Sequence, residues 1–100
     1  MRELRLALFE AHVNTDFQVM EDGIVVCTLR LAEICAHTQT PKQETFSLFF
    51  LGPFDVFLPQ GMHSLRHDGL GKLEIFLVPV GKSDLGFHYE AVFNLLLESS

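Results

Sequence analysis

Five histidines, His12, His37, His63, His67 and His88, are the side chains of this chain best suited to bind a metal or to move a proton. Ligands of one zinc-like ion sit about 2.1 Å from it, so spacing decides whether any two can share one. His63 and His67 fall on the same face of an extended segment, yet lie about 13 Å apart along it. Only a bent strand would bring them together, and no cysteine or histidine at short ligand spacing accompanies them. His88 would reach either one only across paired strands. No metal and no cofactor is therefore expected.

Carboxylates fare no better as a catalytic pair. Acid–base chemistry needs two of them converging on one substrate, and Asp55, Asp68, Glu74 and Glu90 share no spacing that brings this about. Glu74 and Glu90 suit cross-strand pairs with Arg66 or Lys82 instead. Ser47, Ser64 and Ser83 lack the glycine-flanked elbow of a nucleophile. The Gly69-Leu70-Gly71 run precedes strand residues rather than a helix, so it reads as a turn and not as a phosphate loop. Cys27 and Cys35, if both lie in one strand, are roughly 26 Å apart, whereas a disulfide needs Cα atoms within about 7 Å. Two free thiols in a reducing compartment follow. The expectation is a protein that is not an enzyme.

Charge narrows the partners. Thirteen acidic against seven basic side chains give −6, and the basic ones are scattered from Arg2 to Lys82. Without a basic patch, neither nucleic acid nor anionic lipid is an expected partner. No apolar run reaches the roughly 18 residues of a membrane span, so no membrane insertion is expected. The apolar patch after Arg2 and Arg5 is broken by Glu10, too short for a signal peptide, which places the chain in the cytoplasm at synthesis. A length of 100 residues with 48% hydrophobic content suits one domain over residues 1–100.

These side chains must be positioned by strands. Leu4, Leu8 and Val13 sit near helical spacing and predict a short helix over Leu6–His12, covering one end of a sheet. Thr15–Met20 alternates Phe17 and Val19 with Asp16 and Gln18, and Glu21-Asp22-Gly23 turns the chain. Ile24–Ala36 returns as a strand with Val25, Cys27, Leu29 and Leu31 on one face, irregular at Ala32–Ile34 as a bulge would be. His37–Glu44 reads as a polar loop. Glu44–Leu51 places Phe46, Leu48 and Phe50 on one face. Met62–His67 and Lys72–Val80 form a hairpin around Asp68-Gly69, and the second arm is apolar on both faces near its end, as a strand buried on both sides would be. Phe87–Asn94 is a last strand, with Phe87, Tyr89, Ala91 and Phe93 inward, followed by a frayed tail. The fold class is mainly β: a small antiparallel β-barrel or sandwich of about six strands with one short N-terminal helix.

Phe54-Asp55-Val56-Phe57-Leu58 lies between turn residues and is too short for a regular internal strand. Its large apolar residues either plug the end of the barrel or meet a partner. Strands apolar on both faces also need cover that one helix cannot supply, so Phe54, Val56, Phe57 and Leu58, with Phe49 and Leu51 beside them, form the expected binding surface for a protein partner or for a second copy in a homo-oligomer. The alternative is a barrel for a small ligand or carbohydrate, lined by Tyr89, His63 and His88.

The blocks FSLFFLGP (46–53), LPQG (58–61), LRHDGLGKLEIFLVPVG (65–81) and YEAVFN (89–94), with a weaker echo in LxxFEAHVNTDF, carry a likeness. Through them the chain resembles a family of bacterial proteins of similar length, classed only as a domain of unknown function. Such proteins are associated with tail-collar and tail-fibre-like proteins. The resemblance thus implies a structural or assembly role, with a fibre or tail-like particle as the final location. Turn glycines, prolines and core apolar residues make up most of these blocks. Among their polar members, Gln60 and Asn94 are suited to capping backbone groups.

Overall fold

Alternation builds this molecule. The computed structural model describes residues 4–97 and contains one helix, α1 (Leu6–Glu10), and six strands: β1 (Asp16–Glu21), β2 (Ile24–Gln39), β3 (Gln43–Gly52), β4 (Gly61–His67), β5 (Gly71–Ser83) and β6 (Gly86–Leu96). All pairings are antiparallel, and they close a barrel in the order β1-β2-β3-β6-β5-β4, with β4 returning to β1 through Gln18↔Arg66 to Met20↔Ser64. Phe17, Val19, Leu29, Leu31, Phe46, Leu48, Phe50, Leu65, Ile75, Leu77, Tyr89 and Ala91 point inward and are all but fully buried. Each large apolar side chain so buried contributes about 1.5–3 kcal/mol. Phe17 stands edge-on to Phe50 at 5.4 Å, so the barrel centre is filled with rings.

Turn chemistry sets the register. Asp22 and Gly23 both take positive φ, 51° and 78°, the backbone that a two-residue hairpin between Glu21 and Ile24 requires. Strand directions then put the β1–β2 turn, the end of β3, the start of β4 and the β5–β6 turn at one end of the barrel. Helix α1, the β2–β3 turn and the β4–β5 turn lie at the other. There Phe9, fully buried, meets Phe93 at 5.6 Å and Phe46 at 6.1 Å. Glu44 fixes the helix, accepting from the Leu6 N–H at 2.9 Å and from the Arg5 guanidinium at 3.0 Å.

Several elements depart from the sequence expectation. The helix ends at Glu10 rather than His12. The stretch His37–Glu44 is mostly strand: β2 runs to Gln39 and β3 begins at Gln43, joined by a tight turn in which the Thr40 hydroxyl accepts from the Lys42 and Gln43 amides. Polar residues exposed on both faces leave no alternation to read. A bulge falls at Ala32, as expected, and a second lies near His37. β5 is not buried on both sides, since Phe76 on its outer face is 47% exposed. β6 continues past Asn94 to Leu96 because β3 pairs with it throughout; the tail beyond Leu97 and the first three residues lie outside the described residues.

Candidate partner-binding surface

β3 ends at Gly52, and the chain crosses the barrel mouth as an irregular loop before β4 begins at Gly61. Leu58 is the loop's anchor. Its side chain is 2% exposed, packed into the core, and its N–H donates to the Tyr89 hydroxyl oxygen at 3.0 Å. Tyr89 is itself fully buried, so the bond joins the loop to the barrel's interior. Val56 packs half-buried against the same core. Phe54 and Phe57, between and beside these anchors, remain 52% and 54% exposed. The Phe57 ring meets Phe87 edge-on at 5.2 Å, and the Lys82 ammonium lies 5.1 Å from the centre of the Phe87 ring.

The six residues expected to form one surface therefore divide. Leu58 plugs the barrel and Val56 braces it, while Phe54 and Phe57 face solvent. Phe49 and Leu51 are half-buried on the outer wall of β3, opposite Glu90 and His88 of β6. Three further contributors lie at the same end: Ile24 beside the β1–β2 turn and Leu85 in the β5–β6 turn, 68% and 71% exposed, which sequence reasoning missed, and Val25, which it put on the face of Cys27, Leu29 and Leu31 but which is 43% exposed where the β1–β2 register shifts. Large apolar residues at turns, where solvent-facing polar ones are usual, were the available signal. Acids ring them, with Glu21, Asp22, Asp55 and Asp84 on the same turns and loop. Burial pushes the Cys27 thiol up, and the nearby carboxylates of Asp55 and Glu21 push it further.

Several polar groups that could do chemistry are engaged locally. His63 bonds the Pro59 carbonyl at 2.8 Å and His88 bonds the Ser83 hydroxyl at 2.7 Å. Tyr89 is held inside the barrel, whereas His63 and His88 are half-buried. Glu74 accepts from Ser64 at 2.7 Å, and Arg66 donates to Gln18 at 3.1 Å, in place of the ion pairs expected for them. Asn94 accepts from the Gln43 side chain rather than capping backbone. A surface hollow of about 280 Å³ lies outside the barrel between Met20, Ser64, Arg66, Lys72 and Glu74. Among the described residues no three His, Cys, Asp or Glu side chains are grouped to hold a metal ion, and no helix is long and apolar enough to cross a membrane.

One polar cluster escaped the sequence altogether. His67 points inward from the end of β4, and its Nδ1 accepts from the Gly69 and Leu70 amides at 2.9 and 3.2 Å. Its Nε2 lies 2.9 Å from the Thr15 hydroxyl, which donates to the His12 carbonyl at 2.6 Å. Because the Thr15 proton is already committed and Nδ1 faces two donors, the ring carries its proton on Nε2 and is neutral. Burial, and then the neighbouring His12, push the His67 pKa down. The cluster ties the helix segment to the β4–β5 turn.

A family model described as a domain of unknown function, DUF6916, matches residues 4–93. No curated protein and no solved structure matches the chain.

Proposed function

The chain belongs to the DUF6916 family of domains of unknown function, and we propose that it is a non-enzymatic protein-interaction module whose docking surface is the barrel mouth around Phe54 and Phe57. One observation carries this reading. Leu58 and Val56 hold the loop onto the core, while the two phenylalanines between and beside them stay half exposed where the core has no use for them. A loop tethered in this way presents its rings without having to be ordered on binding, which removes part of the entropic cost of association. Exposed aromatic residues with a charged surround also match the anatomy of protein interfaces, where rings fill the centre and charges the rim. A role as an accessory of a tail-fibre-like assembly fits a module of this kind.

The test is capture of partners from the native source, identified by mass spectrometry, using the wild-type chain and a Phe54→Ser/Phe57→Ser variant side by side. Proteins retained by the wild type and lost by the folded variant support the reading. Equal retention by both would place the docking surface elsewhere.

A further inference from the structure

Closure of the barrel leaves one stretch of strand behind. β2 spans 16 residues, but β1 pairs with it only from Ile24 to Arg30. Backbone bonds from Asn14 and Thr15 extend that cover to Leu31 and no further. β3 holds the opposite edge of β2 all the way to Gln39. From Ala32 to Gln39, therefore, the edge that faced β1 meets no strand among the described residues. Unpaired N–H and C=O groups in a row call for one kind of ligand, another extended strand.

Protection of this edge is thin. Native sheets blunt open edges with lysine, proline and bulges. Between Ala32 and Gln39 there is no Lys, Arg or Pro, and Glu33 is the one charged residue. Bulges at Ala32 and near His37 interrupt the ladder, leaving Glu33 to Ala36 as a regular run between them. Glu33, Cys35, Ala36 and His37 are all exposed. Cys35 pairs with Ser47, and the His37 ring reaches the Ser47 hydroxyl at 3.1 Å, so His37 shares a face with Cys35 and, by the strand period, with Glu33.

We propose that this edge pairs with the same edge of a second copy of the chain, antiparallel about a two-fold axis at Cys35, joining two barrels through one continuous sheet. Charge selects the occupant and the register. With Cys35 on the axis, Glu33 of each copy stands opposite His37 of the other, so the acid of the segment meets an imidazole twice rather than a second carboxylate. An axis at Glu33 would set two carboxylates face to face. The net charge of −6 opposes self-association in general, and this register keeps the one acid that the edge carries away from its own copy. Exposed pairs of this kind contribute less than about 1 kcal/mol each, so the backbone ladder does most of the joining and the dimer dissociates on dilution. The edge lies at the other end of β3 from Phe54 and Phe57, and the proposal goes beyond the docking surface there: either can fail without the other.

Sedimentation equilibrium of the wild-type chain over a range of concentrations reads the proposal directly. A reversible dimer is expected, reduced to monomer by Cys35→Lys, which brings two ammonium groups onto the axis, with circular dichroism unchanged and a thermal midpoint equal to that of the dilute, monomeric wild type. Phe54→Ser/Phe57→Ser should leave the dimer intact. Register is read by cross-linking with copper(II)-phenanthroline and dissolved oxygen as oxidant, whereby two Cys35 thiols give up two protons and two electrons and form one S–S bond. Residues directly opposite in an antiparallel pair have Cα atoms about 4.5–5.5 Å apart, inside the range a disulfide accepts. Glu33→Cys/Cys35→Ser alone should not cross-link, whereas its mixture with His37→Cys/Cys35→Ser should. A strict monomer at high concentration would overturn the proposal. So would a dimer that survives Cys35→Lys, or one that is lost with the two phenylalanines.

Discussion

The hydroxyl oxygen of Tyr89, buried inside the barrel, accepts the backbone N–H of Leu58, in a loop across its mouth, at 3.0 Å. A core side chain thus fixes the position of the surface that carries Phe54 and Phe57. Replacing Tyr89 with Phe preserves the ring and strands the buried amide, at a cost of about 1–3 kcal/mol. For a 100-residue chain each kcal/mol lowers the melting midpoint by about 4–8 °C. Differential scanning calorimetry should show that drop, and limited proteolysis should find its first new cleavage between residues 53 and 60.

Leu58 and Phe57 are neighbours with opposite duties. Truncating Leu58 to Ala opens a cavity under the loop and should destabilise by about 2–5 kcal/mol. Phe54→Ser/Phe57→Ser removes rings that are already half in water, so a much smaller change is expected, with loss of partner capture instead. Urea unfolding of the two variants distinguishes them: the midpoint should fall far more for Leu58→Ala.

That contrast marks the limit of what the sequence makes legible. Strict alternation at Phe17 and Val19, at Val25, Cys27, Leu29 and Leu31, and at Phe46, Leu48 and Phe50 states which face is inward, and the structure buries all of these except Val25, 43% exposed where the β1–β2 register shifts beyond Val19. The Asp22-Gly23 turn and the irregularity at Ala32 are likewise local features with local causes. A two-residue period says nothing about which strand lies beside which, so neither the return of β4 to β1 nor the pairing of β3 with β6 could be read. In the 54–58 loop the backbone is irregular, periodicity is absent, and the residues that seat it on the core, Leu58 and Val56, resemble their outward neighbours in composition. His67 was invisible for another reason: its partners Thr15 and His12 are more than fifty residues away along the chain.

Gly86 opens β6 at φ +140°, and a Cβ built there would collide with the Gly52 carbonyl oxygen. Backbone at such φ strains any other residue by about 1–3 kcal/mol, and a carbonyl in a strand cannot turn away. Gly86→Ala should therefore destabilise by more than the strain alone and disturb the loop that starts at Pro53. Gly81, with open space where its Cβ would be, is the control: Gly81→Ala should stay within about 0.5 kcal/mol of the wild type. Denaturant unfolding of both, in parallel, checks the difference.

The neutral His67 ring makes stability depend on pH near neutrality. Its folded pKa lies below the ordinary 6.5, chiefly through burial and then through His12. Over that interval the unfolded chain binds a proton that the folded chain refuses. The contribution is thus complete above the unfolded value and is lost as pH falls toward and through the folded one. Protonating Nδ1 would aim its N–H at the Gly69 and Leu70 amides. Unfolding free energy should decline between about pH 7.5 and pH 5, and His67→Phe, although less stable overall, should show a flatter decline over that range.

Glu44 supplies a second, separable acid step. Its carboxyl is held below the ordinary 4.5, first by the hydrogen bond from Arg5, against the opposing effect of burial, with help from the Leu6 N–H. A depressed carboxyl stabilises the fold above its unfolded pKa, and that stabilisation is lost as pH falls through the folded value, below the range in which His67 titrates. Arg5 is 42% exposed on its side chain, so water weakens the ion pair, and capping the first turn of α1 is worth more, about 1 kcal/mol. Glu44→Ala should lose this increment at neutral pH and loosen the helix that seats Phe9. Glu44→Gln keeps an acceptor for Leu6 but no titrating charge. Its unfolding free energy should therefore fall less steeply than that of the wild type below about pH 4.5, while the His67-dependent decline at higher pH stays unchanged in the same titration.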